Sequence, residues 1–359
     1  MRLCLISILC PFIPTLSNAA RGDPRCRTVN VRKEFRDLTT SEWNVFRSAY
    51  LSLQNTAHPN PAAVNQTEWD YWTQIHIDHM MTAHNHPRFF PWHRAYILAL
   101  EQRLQRINSN ITLPYWDWTA DYAAPLQSPI IRSAYGLDVV PHGEGDCRYR
   151  RALFQPHCLI REYDPANFTT LYSPSAMATV IRRESNYDSF RQLVEMAPHG
   201  IIHTALGGKK GDMASMNSPN DPIFFLHHSM VDYIWWLWQT RDAASAQAYL
   251  GDTSQLLDPF GIRISDVLDA GKYCVTYQPP SANTILRPQL QQRKGTLGMD
   301  DSGTFKVESS NNKVAVPKTM VVVQHWLHMY HITPSQLQAI LDRFNRLCGE
   351  HLETRVVVI

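Results

Sequence analysis

Apolar residues recur at helical spacing along much of this chain. After a Thr40 or Ser41 cap, Trp43, Phe46, Ala49, Tyr50 and Leu53 form one stripe. Residues 69–81 keep that spacing, residues 82–91 break it with Pro87 and Pro91, and residues 92–107 resume it with Tyr96, Leu100 and Leu104. Short helices are predicted over 185–196 and over 199–206. The densest apolar run is 220–239. Asp221 is a good N-cap there, and Pro222 suits the first helical position, where its missing N–H costs nothing. Nearly every following residue is apolar, so this helix is predicted to be buried. Residues 113–118 are too aromatic for a solvent loop and should pack on the core, whereas 119–172 read as irregular chain. Residues 278–312 are a polar excursion, 314–323 are β-like, and Thr333 with Pro334 starts a last helix over 336–347. The strongly periodic segments are helical, so the predicted fold is mainly α, with long loops and little sheet.

Composition adds few constraints. The 359 residues are 44% hydrophobic and 18% charged with a formal net charge of +2, which gives no reason to expect nucleic acid as a partner. Residues 1–19 read as a signal peptide: Arg2, an apolar run over 3–16, then Ser17, Asn18 and Ala19 for cleavage. That run is too short, and too broken by Pro11 and Pro14, to span a bilayer, and no later run is long enough. Secretion fits the sequons at Asn65, Asn110 and Asn167 and predicts that most of Cys26, Cys147, Cys158, Cys274 and Cys348 are paired. Cys147 and Cys158 could close the polar loop between them. Cys26 and Cys348 could tie the chain ends together. Sequence does not fix the connectivity.

The histidines change the picture. The buried 220–239 helix carries His227, His228 and, a turn on, Asp232. A buried imidazole needs a partner. His199 and His203 form an i, i+4 pair on one helical face and lack a third donor, which His227 or His228 can supply. His76, His84 and His93 fall on one helix, the following loop and the next helix, and an antiparallel pair can point all three inward. Two sites of three imidazoles follow. A di-iron bundle would need glutamates, and structural zinc usually takes thiolates. A zinc protease would show His-Glu-x-x-His, but residue 200 is Gly. Three imidazoles at each of two sites suit copper. Two facing coppers can pass two electrons to dioxygen together.

At these residues the chain resembles the coupled binuclear (type 3) copper proteins: tyrosinases, catechol oxidases and molluscan-type haemocyanin units. His84-Asn-His-Pro-Arg-Phe-Phe-Pro-Trp-His93-Arg94 resembles the family's copper A motif, and Asp221-Pro-Ile-Phe-Phe-Leu-His227-His228, continuing to Asp232 and Trp235, its copper B motif. Tyr115 to Trp118, with Tyr273 and Tyr277, fits the same pattern, and the likeness covers roughly residues 26–277. The resemblance implies copper A ligands His76, His84 and His93, and copper B ligands His199, His203 and His228. His227, Asp232 and Phe224 then sit just behind the ligands. The short spacing of His76 and His84 is similar to that of short secreted fungal members. Two departures stand out. Thr82 occupies the place where many relatives carry a cysteine bonded to a histidine ring. Gly200 stands where enzymes that hydroxylate monophenols often have Asn, and its missing side chain is expected to leave space above copper B. Glu195 resembles the acid that holds a water in those enzymes, so Glu195 and Gly200 are the candidate catalytic positions.

The expectation is a secreted polyphenol oxidase of the catechol oxidase or tyrosinase type. It has a four-helix bundle core holding two copper ions, with residues 20–277 as the oxidase domain and 278–359 as an extension whose closing helix packs on that core. It would use O2 to oxidise o-diphenols to o-quinones, with weak monophenol hydroxylation and no nucleic-acid or membrane partner. The rival readings are a true tyrosinase and a haemocyanin-like oxygen-binding protein.

Overall fold

The computed structural model describes residues 26, 28–63, 66–132, 146–151, 157–163, 168–281, 314–349 and 351–359. The proposed signal peptide, Asn65, Asn167 and most of the 278–312 excursion lie outside them.

The first helix, α1 (Thr40–Ser52), starts in a capping box between Thr39 and Glu42 and buries Trp43, Phe46, Ala49 and Tyr50. A second capping box, Thr67 with Asp70, starts α2 (Glu68–Asp78). One turn, α3 (Met80–Ala83), leads to His84 and then to α4 (Phe89–Gln105). That helix begins three residues before the predicted start because Pro91, inside the first turn, has no intrahelical N–H to lose. A helix the pattern did not disclose, α5 (Pro174–Arg183), begins at a Ser173 cap with proline at N1. Next come α6 (Tyr187–Val194), α7 (Gly200–Gly207) and α8 (Ile223–Thr240). Between α6 and α7 the chain does not break: Glu195–His199 is a π-helical turn around Pro198. Short α9 (Ala243–Ala246) and α10 (Ile264–Val267) follow. The C-terminal part supplies α11 (Gln324–Met329) and α12 (Pro334–Cys348), which packs along α5 and α6. No described helix is long and apolar enough to cross a membrane.

The described strands pair two by two. β1 (Asn30–Arg32) runs parallel to β6 (Val275–Tyr277), β2 (Asp146–Arg151) antiparallel to β3 (His157–Leu159), and β4 (Leu256–Leu257) antiparallel to β5 (Ile262–Arg263). β7 (Thr319–Val322) pairs in parallel with β8 (Arg355–Val358) and lies against α7. The expected Cys26–Cys348 link is not formed. Cys26 is bonded to Cys274 because the β1–β6 pairing brings their segments side by side, and Cys348 is free beside the Ala176 carbonyl. Cys147 and Cys158 lie on the paired strands β2 and β3.

Helices α2, α4, α7 and α8 surround the core, and a buried ionic network fixes the α4–α8 contact. Asp232 on α8 accepts from Arg94 Nε on α4 at 2.6 Å, from Arg32 Nη1 on β1 at 3.3 Å and from the Tyr277 hydroxyl on β6. Arg32 also bonds both oxygens of Glu101, at 3.2 and 2.8 Å. The guanidinium of Arg94 lies 3.8 Å from the centre of the Trp235 ring. Each charge is thus paired or hydrogen-bonded, as burial requires.

Candidate metal centre

Two groups of side chains in this core hold donor atoms close enough for metal ions: His76, His84 and His93, and His199, His203, His227 and His228. The first group comes from α2, the α3–α4 loop and α4, the second from the π turn, α7 and α8. Exposure is 6% for His84, 5% for His203 and at most 2% for the others.

Five rings are held in one tautomer by the backbone. Nδ1 donates to a carbonyl in each: His76 to Met216 (2.9 Å), His84 to Met80 (3.3 Å), His93 to Phe89, His199 to Glu195 and His203 to Met213 (2.8 Å each). A carbonyl only accepts, so Nδ1 carries the proton and Nε2 keeps its lone pair. The buried Nε2 atoms of His76, His93, His199 and His203 find no hydrogen-bond partner among the described residues. Neither do both ring nitrogens of His227 and of His228. Such unmet buried groups call for an explanation, and metal ions supply one. Burial pushes every one of these imidazoles toward the neutral form: His76 down to about 3, His203 to about 4, and the rest well below the usual range. A neutral ring is the form that ligates.

The two groups touch. The His93 and His228 rings stack with centroids 4.3 Å apart, and Phe224 lies 4.2 Å from His228 and 5.0 Å from His76. Phe89, a residue that sequence reasoning missed, packs 4.9 Å from both His93 and His199. It follows Arg88 at the first position of α4, is fully buried, and falls inside the copper A motif without a polar atom to mark it. His227 lies 5.2 Å from both His199 and His203, with a ring nitrogen in the same group. The off-pattern histidines stay apart. The Nδ1 of His79 bonds the Ile75 carbonyl, and that of His86 accepts from the Arg88 N–H.

Both oxygens of Glu195 are hydrogen-bonded, and Gly200 differs from expectation. Glu195 Oε1 accepts the Asn85 N–H and Oε2 accepts from Arg191 Nη1, both at 2.6 Å. Burial pushes this carboxyl up to about 7 against the opposing pull of Arg191 and of the Asn85 N–H. Its side chain holds the residue after His84, and its own carbonyl holds His199. Gly200 does not open space. A Cβ added there would lie 3.0 Å from Met320 Cε and 3.2 Å from Trp326 Cζ2. Trp326 stacks on Tyr330 at 4.4 Å, Tyr330 lies 5.4 Å from the His84 ring, and its carbonyl accepts from Asn85 Nδ2 at 3.0 Å. Residues of β7 and α11 therefore roof the histidines. No sequence signal pointed to them, because they lie more than a hundred residues from Gly200.

The common central domain of tyrosinase matches residues 66–139 and 132–241 of this chain. A tyrosinase of Streptomyces antibioticus is 30% identical over 256 residues, covering 64% of this chain and 90% of that protein. A tyrosinase-like protein of Diaporthe leptostromiformis is 32% identical over 257 residues, covering 61% of this chain and 64% of that one. Among solved structures, a mutant polyphenol oxidase of Thermothelomyces thermophila aligns at a TM-score of 0.58 and 22% identity over 71% of this chain and 92% of that one. A functional unit of octopus haemocyanin aligns at 0.56 and 20% over 73% and 72%. At such identities the structures establish the fold. Fold, site and sequence together define a type 3 copper protein. The chain belongs to the tyrosinase family. It spans 60–65% of the length of the Diaporthe relatives that it matches. The family's cofactor is a pair of copper ions working with dioxygen, and the two imidazole groups with their free Nε2 atoms fit it.

Proposed function

We propose that this chain is a secreted copper oxidase that uses dioxygen to convert o-diphenols to o-quinones and hydroxylates monophenols weakly. The observation that carries this is the pair of touching imidazole groups with unmet, buried Nε2 atoms. His76, His84 and His93 are assigned to copper A, and His199, His203 and His228 to copper B. His227 is assigned a supporting role beside copper B. Residues 20–277 are the oxidase domain and 278–359 its extension. The exposed Asn110 sequon and the Cys26–Cys274 bond support a route through an oxidising compartment.

The bound coppers supply the exchange of electrons between substrate and dioxygen. The protein's part is positional. Backbone carbonyls set the tautomers, Phe89 and Phe224 keep bulk water from the inner face, and Asp232 with Arg94 locks α4 to α8. Monophenol hydroxylation needs a base to take the phenol proton. Gly200 offers no side chain to orient a water, and Glu195 is committed to Arg191 and Asn85, so o-diphenols are the favoured substrates. Initial rates on 4-methylcatechol and tyrosol test this. Tyrosol turned over as fast as the catechol would make the protein a tyrosinase in activity. One observation favours an oxygen carrier: Met320, Trp326 and Tyr330, each at most 2% exposed, cover the site. Failure of the copper-loaded protein to oxidise any catechol would select that reading.

A further inference from the structure

A further pair of metal-donor atoms meets outside the two imidazole groups. His331 Nε2 lies 3.1 Å from Met81 Sδ, at a sequence separation of 250. Both side chains are exposed, Met81 at 58%. A thioether is only a weak hydrogen-bond acceptor, so the contact is worth little to His331 as a hydrogen bond. As a pair of metal donors it is well formed. Metal bonds of about 2.0 Å to nitrogen and about 2.3 Å to sulfur span such a gap. A thioether beside an imidazole is a soft set, the kind that selects Cu(I). Two protein donors leave other positions on the ion open, so an ion held there can be passed on.

The pair stands beside the group assigned to copper A. Met81 belongs to α3, which leads directly to His84, and the carbonyl of its neighbour Met80 accepts from His84 Nδ1 at 3.3 Å. His331 follows Tyr330, whose ring lies 5.4 Å from that of His84. Asn85 Nδ2 ties the two segments together by donating to the Tyr330 carbonyl at 3.0 Å. Of all the clustered histidines His84 is the most exposed, at 6%, so it is the ring that solvent reaches first. His331 meets Met81 from a left-handed backbone conformation, φ 50°, that residues other than glycine adopt sparingly.

We propose that Met81 and His331 form a docking site for Cu(I), from which the ion passes to the copper A position. This deepens the copper reading of the centre and rests on it. The transfer is a ligand exchange without oxidation or reduction. The bonds to Met81 Sδ and His331 Nε2 break as a bond to His84 Nε2 forms, and the ion keeps its charge throughout. His84 carries its proton on Nδ1, so no proton has to leave that ring. Docking draws the His331 tautomer whose Nε2 is free. His76 and His93 then complete the set.

Silver(I) is the probe for docking, because it shares the soft preference of Cu(I) and changes no oxidation state here. It is titrated without air into the copper-loaded full chain carrying methyl-labelled methionine. A Cys348→Ser background keeps the free thiol from taking the silver. The Met81 methyl resonance is identified by its loss in Met81→Leu. The expected result is a saturable shift of that resonance. His331→Asn, which suits the left-handed turn but offers no imidazole, should need about tenfold or more silver for the same shift. In parallel, the copper-free chain is mixed with a limiting Cu(I)–acetonitrile complex, and uptake is stopped at intervals with a chelator. Uptake should be several-fold slower in Met81→Leu and in His331→Asn, while final copper content and the catechol rate after full loading stay unchanged. No shift of the Met81 methyl, or the same silver demand in His331→Asn, would overturn the site. Silver binding with equal uptake rates in wild type and both variants would overturn its role in loading. A wild-type chain that takes up no copper would end the copper reading of the centre, while the silver titration still decides the site. A loaded chain that oxidises no catechol would count against the oxidase reading alone.

Discussion

His93 of α4 and His228 of α8 lie face to face, with ring centroids 4.3 Å apart and planes 11° from parallel. They belong to different imidazole groups, so their stacking brings the two metal positions together. The same two helices are joined a turn away by Arg94 and Asp232. His93→Ala or His203→Ala should each leave a fold of unchanged helix content, lose one copper and abolish catechol oxidation. Elemental analysis beside circular dichroism checks this. Two coppers and full activity in either variant would sink the assignment. His86→Ala should keep both coppers.

His227 and His228 make the sharper pair, since all four of their ring nitrogens lack partners among the described residues. His228→Ala should lose copper B. His227→Ala should keep it and slow turnover by roughly ten- to a hundredfold, the usual effect of disturbing a ligand's neighbour. If copper is lost from His227→Ala and kept in His228→Ala, the two roles are exchanged.

Glu195→Gln separates a brace from a base. Gln keeps an acceptor for the Asn85 N–H but gives up the charge opposite Arg191. As a brace, Glu195 supports both substrate classes alike, so 4-methylcatechol and tyrosol rates should fall together with copper A content. A loss confined to tyrosol would mean that the carboxylate acts on the monophenol proton. Gly200→Asn is expected to lower Tm as well as alter the ratio of the two rates, because its new Cβ must push Met320 and Trp326 aside.

Asp232→Asn should be costly even though it never meets the substrate. The change removes the charge that Arg32 and Arg94 share in the interior, and breaking such a buried pair typically costs about 3–5 kcal/mol. Tm should fall by several degrees, and a fall of less than a degree would show that the arginines find other partners.

Acid should destabilise the copper-free protein. Burial holds His76 at about 3 and His203 at about 4, whereas both titrate near 6.5 once unfolded. Between those values the unfolded chain binds protons that the folded chain refuses. Stability therefore drops as pH falls from about 6.5 toward about 4, and levels off for each group only below its folded value. Saturating copper should raise Tm across this range by binding the folded form. A flat Tm from pH 7 to 4 in the metal-free protein would contradict the burial of these rings.

Much of the centre was legible because its chemistry is local. A histidine pair at i, i+4, an apolar helix opened by Asp221 and Pro222, and the His84–His93 stretch each show their meaning within a few residues. What escaped depends on distant chain. Cys274 is chosen over Cys348 only when β1 meets β6, and the sequence separation of 248 between Cys26 and Cys274 hides that meeting. The helices predicted over 185–196 and 199–206 read as separate, yet the π turn around Pro198 joins them and carries His199 on into α7. Gly200 reads as empty space, and only the folded C-terminal segment fills it.

The central claim is a pair of copper ions held close enough to interact. The most direct measurement is copper content together with the electron paramagnetic resonance spectrum of the air-oxidised, copper-loaded protein. About two coppers per chain and a spectrum nearly silent from coupling between the paired ions are expected. One copper per chain, or two with the full signal of isolated Cu(II), would contradict the account.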